Sequence, residues 1–161
     1  MKVLKAGINE KDSGHHHLLI NLKELPNLSP GEKEVVIQVK ACSLNFPDTL
    51  IIQGKYQYKP ELPFTPGSDI AGIVSSVGSA VKHLSVGDEV FGFVANGGFA
   101  EEVVAPARNV FPKPPKMDNA VGASFLMAYG TSYHALKNRA QLKEGETLVV
   151  LGASGGVGLA A

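Results

Sequence analysis

The sequence predicts a mainly β chain that passes through helices into the first strand and turn of a parallel α/β domain. Short β-branched runs separated by Pro and Gly fill the first part, helical apolar spacing follows KPPK at 113–116, and VVLGASGGVGLAA occupies 149–161. Several short strands between turn residues are typical of a small barrel or sandwich. We therefore expect an all-β domain at 1–116, and connecting helices with the start of a truncated α/β domain at 117–161.

Alternation and β-branched residues predict four strands in the first part. They are KEVVIQVKAC at 33–42, DIAGIVSSV at 69–77, EVFGFV at 89–94 and FAEEVVA at 99–105. Asn45 precedes FPDTLIIQ at 46–53, where Asn is a favoured N-cap and Pro47 suits the first turn of a short helix.

The second part predicts helices and then one strand. Residues 118–139 carry apolar side chains at spacings of three and four, interrupted at Gly130, which predicts two consecutive helices. Residues 147–151 predict a strand that leads into the glycine-rich turn. A dinucleotide fold needs more strands after such a turn, so we expect the chain to be part of a longer protein.

Composition restricts the function classes. Apolar residues make up 44% and fifteen acidic residues balance fifteen basic ones, which fits a compact core and gives no basic stripe for nucleic acid. No apolar run reaches the roughly 20 residues that cross a bilayer, and no secretory signal is visible, so we expect a cytoplasmic protein without a membrane partner. Cys42 is the only cysteine in the sequence, so an intrachain disulfide is excluded. The run of three histidines at 15–17 is interpreted as a solvated loop, and a native metal site is the alternative.

The glycine-rich turn has the pattern of a pyrophosphate site. Gly152, Gly155 and Gly158 allow a tight turn, close approach of backbone to phosphate and close packing of helix on strand. The backbone at Ser154, Gly155, Gly156 and Val157 would surround the pyrophosphate. The alternative is a structural turn without a ligand, and a P-loop is disfavoured because no Lys-Ser or Lys-Thr follows.

Three segments together resemble one superfamily. ACSLNFPDTLIIQGKY at 41–56, LPFTPGSDIAGIVSSVG at 62–78 and the C-terminal glycine motif stand in the order and spacing of the medium-chain dehydrogenase/reductases. Within that superfamily, the chain is most similar to the zinc-independent quinone oxidoreductases. The resemblance implies a GroES-like β-barrel catalytic domain, followed by the start of a Rossmann domain.

Two departures from the zinc-dependent members matter. Asn45 and Ser68 stand where those members carry cysteine and histidine ligands, and Cys42 lies three residues too early. Zn²⁺ favours thiolate, imidazole and carboxylate, so we expect no metal and interpret Cys42 as a small buried strand residue. Hydride transfer without a Lewis acid favours electron-poor acceptors such as quinones or α,β-unsaturated carbonyls.

The resemblance also implies roles for three side chains. Asn45 would hydrogen-bond near the nicotinamide or the acceptor oxygen, with simple helix capping as the alternative. Thr131 would meet the cofactor near the nicotinamide end, or else satisfy local backbone. Tyr56 would orient or protonate the reduced acceptor, or else pack in its loop, while Leu50 replaces a second pocket tyrosine.

The implied activity is that of a zinc-independent NAD(P)H-dependent oxidoreductase that passes hydride to a quinone or another conjugated carbonyl. The alternatives are an enoyl-thioester or alkenal reductase on the same scaffold, and a non-catalytic GroES-like binding or scaffold protein. The resemblance favours NADPH and leaves NADH open, because the residue that distinguishes them is expected beyond Ala161. It also implies a homodimer for the full-length protein, and we expect the 161-residue chain alone to be inactive.

Overall fold

The computed structural model describes residues 1–8 and 18–161, and its main element is a five-stranded antiparallel sheet. A two-stranded antiparallel sheet stands beside it, with an isolated bridge between Val3 and Ala100. The small sheet contains β1 (Lys2–Ile8) and β2 (Leu18–Glu24). The large sheet contains β3 (Glu34–Cys42), β4 (Asp69–Val77), β5 (Glu89–Phe93), β6 (Glu102–Pro106) and β7 (Val110–Pro112), in the order β6-β3-β4-β5-β7.

The two central strands supply most of the core. β3 shifts register between Val36 and Ile37 and again between Val39 and Ala41, and such irregularities bend a strand and increase its twist. The first four residues of β4 are all buried, which shows that both faces of this strand are covered at that end. Aliphatic side chains from five strands and their connections form one cluster: Val35, Ile37, Ile70, Val74, Val81, Leu84, Val90, Val94, Val103, Ala105, Ala107 and Val110.

Helices connect the sheet to the glycine-rich turn. α1 (Phe46–Ile51) follows β3, and α2 (Asn119–Ala123) packs against β3, β4 and β5. Asp118 caps α2 by accepting the Val121 N–H at 2.7 Å. Three helical segments then follow one another and are called the connector here: Leu126–Gly130, α3 (Thr131–Tyr133) and His134–Arg139, the first and last of them π-helical. α4 (Gly156–Leu159) begins at the end of the glycine-rich turn.

The structure confirms the mainly β fold class and corrects four details. The first three predicted strands form close to their expected bounds, but the fourth begins at Glu102 instead of residue 99. β1, β2 and β7 were not predicted. The predicted interruption at Gly130 is wrong, because Gly130 has helical dihedrals of −62° and −41° and the break falls at Ser124, whose φ is −107° and ψ 3°.

The predicted strand at 147–151 is also wrong for this chain. The segment is irregular and mostly exposed. A strand requires a neighbour to accept and donate its backbone hydrogen bonds, and no strand of the described residues lies beside it. The histidines at 15–17 lie outside the described residues, and the boundary at 116/117 stays a prediction. No helix among the described residues is long and apolar enough to cross a membrane.

Candidate functional site

Asn45 occupies the N-cap of α1 at the end of β3, and two polar neighbours fix it. Its backbone is extended, with φ −110° and ψ 157°, and its N–H donates to the Asp48 Oδ2 at 2.8 Å. Its side-chain Nδ2 donates to the Ser43 Oγ at 2.8 Å. A carboxamide nitrogen carries two N–H groups, so one more can meet a ligand. Asn45 is therefore held by its helix while part of its side chain stays exposed.

Two buried carboxylates belong to residues that contact the loop around Asn45. Asp48 accepts the Asn45 N–H, and the Asp69 backbone accepts the Ser43 N–H. Asp48 is 3% exposed, and its second oxygen, Oδ1, accepts the Gly67 N–H at 3.3 Å. Asp69, at the first position of β4, is 0% exposed, and its Oδ2 accepts the Met127 N–H at 2.8 Å. Burial raises the pKa of Asp69 to about 6, the Met127 N–H opposes the rise, and the charge of Asp48 adds to it. Asp69 is therefore partly protonated in mildly acid solution.

Cys42, the last residue of β3, is half-buried beside the same carboxylates. Burial, then the charges of Asp48 and Asp69, raise the pKa of its thiol to about 12. A thiol with such a pKa stays protonated near neutral pH and is a poor nucleophile and metal ligand. The interpretation of Cys42 as a small buried strand residue is correct in part: it does lie on a strand and pack against the core cluster, but it is partly and not fully buried.

Tyr56 lies beyond the far end of α1, in a small apolar cluster. The cluster contains the buried Ile51 and Phe64, with Ile52 and Tyr56 packed against them. Tyr56 is half-buried, so its ring packs while part of it reaches the surface. The structure thus places Asn45 and Tyr56 at opposite ends of one short helix.

Thr131 lies on the connector, and its neighbour contacts the glycine-rich turn. Thr131 is exposed, whereas Ser132 is 3% exposed and its Oγ donates to the Val157 carbonyl oxygen at 2.6 Å. A cavity of about 490 Å³ is bordered by Ser132, by residues 148–152 and by Gly155, Gly156 and Val157. Ser132, the neighbour of the predicted Thr131, therefore lies at the turn, whereas Thr131 itself does not border this cavity.

The glycine-rich turn is shaped by its glycines. Gly152 has φ +74°, which favours glycine, and a Cβ at Gly158 would collide with the Gly152 carbonyl oxygen. A Cβ at Gly155 would meet only the Gly152 oxygen at 3.5 Å, and one at Gly156 only the Ala128 Cβ at 3.9 Å. Space in front of these two residues is open, and the first N–H groups of α4 have no intrahelical acceptor. The residues present therefore fit a dinucleotide.

The donor set near Asn45 does not suit zinc. Asn45 offers an amide, and Ser68 is a 4% exposed hydroxyl, neither of which is among the ligands that Zn²⁺ prefers. Within residues 1–8 and 18–161, no group of three or more His, Cys, Asp or Glu is arranged to hold a metal. No chemical step is assigned to a metal here.

Three residues of this region were not predicted from the sequence. Asp48 stands three residues after the N-cap, which is the acidic position of a capping box and a usable signal. Asp69 is a charged residue at the start of an otherwise apolar strand segment, which is an unusual place for a carboxylate. Ser132 carries no such signal, because only packing distinguishes it from the exposed Thr131.

Comparison with known proteins assigns the chain to a class. The family model of the alcohol dehydrogenase GroES-like domain matches residues 31–115, more than half of the chain. The chain belongs to this family, within the medium-chain dehydrogenase/reductase superfamily. The quinone oxidoreductase of Lama guanicoe is 45% identical over 133 residues, which cover 82% of this chain and 40% of that protein.

Solved structures give the same result over nearly the full chain. Human synaptic vesicle membrane protein VAT-1 homolog-like protein matches with a TM-score of 0.85 and 35% identity, covering 99% of this chain and 51% of that one. Escherichia coli quinone oxidoreductase complexed with NADPH has a TM-score of 0.86 and 29% identity, covering 99% and 47%. CurK enoyl reductase has a TM-score of 0.83 and 27% identity, covering 98% and 49%. The chain thus spans about half the length of these structures.

Proposed function

We propose that this chain is the acceptor-binding part of an NADPH-dependent oxidoreductase that transfers hydride to a quinone or another conjugated carbonyl without a metal. The proposal rests on the identity of two polar residues in the GroES-like domain, Asn45 and Ser68. By the resemblance, they stand at positions where the zinc-dependent members carry metal ligands. An amide N–H can hold a carbonyl oxygen by a hydrogen bond. Conjugated acceptors need no stronger polarisation, which supports this substrate class.

The cofactor is assigned to the glycine-rich turn. NADPH, when bound, supplies the hydride, and NADH is the alternative. The backbone at Gly152, Gly155, Gly156 and Gly158, with Ser154 and Val157, would hold the pyrophosphate. The space in front of Gly155 and Gly156 supports this, while Gly158 allows the close approach to the Gly152 carbonyl. Thr131 would contact the cofactor farther toward its nicotinamide end. The NADPH complexes of structurally similar quinone oxidoreductases support NADPH as the cofactor.

A second candidate is reduction of enoyl thioesters. The fold similarity to CurK enoyl reductase supports it. Both reactions deliver hydride to a conjugated carbon, so the acceptor pocket distinguishes them. A panel of quinones and enoyl thioesters offered to the complete polypeptide with NADPH decides between the two by kcat/KM.

Replacing Asn45 by Ser separates a catalytic role from helix capping. Ser is about as good an N-cap as Asn but lacks the carboxamide. We expect Asn45→Ser in the complete polypeptide to lower kcat/KM for the acceptor by about tenfold or more, the loss of a well-placed hydrogen bond, with unchanged thermal stability. Asn138→Ser is the control, because Asn138 is exposed and its side chain hydrogen-bonds to His134 on the connector. Unchanged kinetics in Asn45→Ser would leave capping as its only role.

Binding of NADPH tests the class of protein. We expect saturable binding by the complete polypeptide, and activity that survives a zinc chelator. A polypeptide that binds neither NADPH nor NADH would be a non-catalytic binding or scaffold protein. Activity that depends on a tightly bound, stoichiometric zinc would disprove the metal-free mechanism.

A further inference from the structure

Asp69 is a buried carboxylate whose bonds join two parts of the chain. Its backbone carbonyl accepts the Ser43 N–H at 3.1 Å, next to the residues that hold Asn45. Its side-chain Oδ2 accepts the Met127 N–H at 2.8 Å, across 58 residues of sequence. One residue therefore contacts both the loop before α1 and the connector.

The connector is fixed at a second point by the glycine-rich turn. Ser132, five positions after Met127, donates to the Val157 carbonyl oxygen at 2.6 Å. Between these two bonds the chain is continuously helical. A short helical segment bonded at both ends holds its two contacts at a nearly constant separation. The Asn45 region and the turn are thus linked through Asp69, the connector and Ser132.

The stability of the fold does not account for a carboxylate at this position. Asp69 Oδ1 is buried and has no hydrogen-bond partner among the described residues. An unpaired buried charged oxygen costs stability, and a buried polar group is poor evidence for a stabilising role. What the carboxylate does provide is a charge-assisted bond to a backbone N–H, which is shorter and stronger than a neutral one.

We propose that Asp69 is a positioning residue, which anchors the connector to the sheet and thereby sets the placement of the glycine-rich turn relative to Asn45. The inference rests on the proposed function for its kinetic consequence, because hydride transfer requires donor and acceptor atoms at close range. A misplacement of about 1 Å can lower the rate of such a step about a hundredfold. The anchoring itself is a structural statement and has its own measurement.

Two substitutions of Asp69 in the complete polypeptide test the proposal. Asp69→Ala removes the acceptor of the Met127 N–H, whereas Asp69→Asn keeps one acceptor oxygen at the same place. We expect Asp69→Ala to lower kcat by about tenfold or more, with the Kd for NADPH within about threefold of the parent value, and Asp69→Asn to restore kcat to within about threefold. Hydrogen exchange at the Met127 amide should quicken in Asp69→Ala and stay slow in Asp69→Asn.

A matched control removes a similar bond elsewhere. Asp88 Oδ2 accepts the Ser85 N–H at 2.8 Å in the turn before β5, so Asp88→Ala should speed exchange at Ser85 and leave kcat unchanged. If Asp69→Ala does not fold, Asp69→Val replaces it, since valine fills the space and suits a strand.

The outcomes separate this inference from the proposed function. Slow Met127 exchange in Asp69→Ala, or equal kcat in the parent and Asp69→Ala, would overturn the positioning role. Equal loss of kcat in Asp69→Asn and Asp69→Ala, with Met127 protection kept in Asp69→Asn, would overturn it too. A parent polypeptide that binds no NADPH would refute the proposed function, while the exchange comparison would still decide whether Asp69 anchors the connector.

Discussion

Tyr56 is the side chain whose role the fold leaves most open, because its ring packs on Ile51 and Phe64 while it stays half-exposed. If its hydroxyl orients or protonates the reduced acceptor, Tyr56→Phe should lower turnover about tenfold and leave NADPH affinity unchanged, since the ring and its packing are kept. Steady-state kinetics with a quinone measure this. Tyr58→Phe is the control, because Tyr58 is exposed and its hydroxyl accepts a hydrogen bond from the Asn96 Nδ2 at 2.7 Å. Unchanged turnover in Tyr56→Phe would assign the residue to packing.

Asp69 should also make stability depend on pH. Its pKa is about 6 in the folded protein against 3.8 for the free group, so the folded state holds a proton that the unfolded state has lost between these values. The contribution of Asp69 to stability therefore falls as the pH rises from about 4 to about 6, by roughly 1–3 kcal/mol. Asp69→Asn should reduce the change of stability with pH in this range, and it should unfold at a higher temperature than the parent protein at pH 7.5. Thermal unfolding at several pH values tests this, and a parallel curve for Asp69→Asn would contradict it.

At the scale of elements, two glycines on the helical part have opposite roles. Gly122 in α2 is buried, and a Cβ there would lie 3.2 Å from the Ala71 Cβ and 3.3 Å from the Phe91 Cβ. Gly130 has helical dihedrals, and a Cβ there would meet nothing within 4 Å. The first glycine lets α2 approach the sheet closely, and the second is a replaceable residue within a helix.

Substitutions at these glycines should have opposite signs. We expect Gly122→Val to destabilise the fold by about 1–3 kcal/mol, because the added atoms overpack the contact with β4 and β5. Gly130→Ala should stabilise it by up to about 1 kcal/mol, because alanine favours a helix over glycine. Denaturant unfolding measures both. A destabilised Gly130→Ala would mean that the connector needs a glycine for a reason that packing does not show.

The elements also show how far local sequence signals reach. The β-branched runs predicted β3, β4 and β5 nearly residue by residue, because β-branched and aromatic residues between turn residues are typical of strands. Of these strands, β5 alternates buried and partly exposed residues with a period of two. β7 is three residues long and ends in Pro112, which leaves too little pattern to detect. Helicity through Gly130 was missed because the propensity of one residue cannot reveal the contacts that hold the connector, such as the bond from Ser132 to Val157.

At the scale of the whole molecule, the C-terminal segment exposes an apolar surface. Val149, Leu151 and Leu159 are 76%, 91% and 77% exposed. Exposed apolar patches favour association, so we expect the 161-residue chain to self-associate as its concentration rises. Sedimentation velocity measures this, and Leu151→Lys should reduce the association. Val86→Lys, which adds the same charge at a 66% exposed valine in a turn, should not. A chain that stays monomeric at every concentration would contradict the prediction.

The sequence by itself determined the mainly β class, three of the strands, the helix capped by Asn45 and the glycine pattern, because each of these depends on residues that are close together in the sequence. Only the tertiary structure showed that Asp48 binds the Gly67 N–H, that Asp69 binds the Met127 N–H, and that Ser132 binds the Val157 carbonyl of the glycine-rich turn. It also showed that residues 147–151 form no strand without a partner. Contacts between residues 19 to 58 positions apart depend on how the elements pack, and no local pattern records that packing.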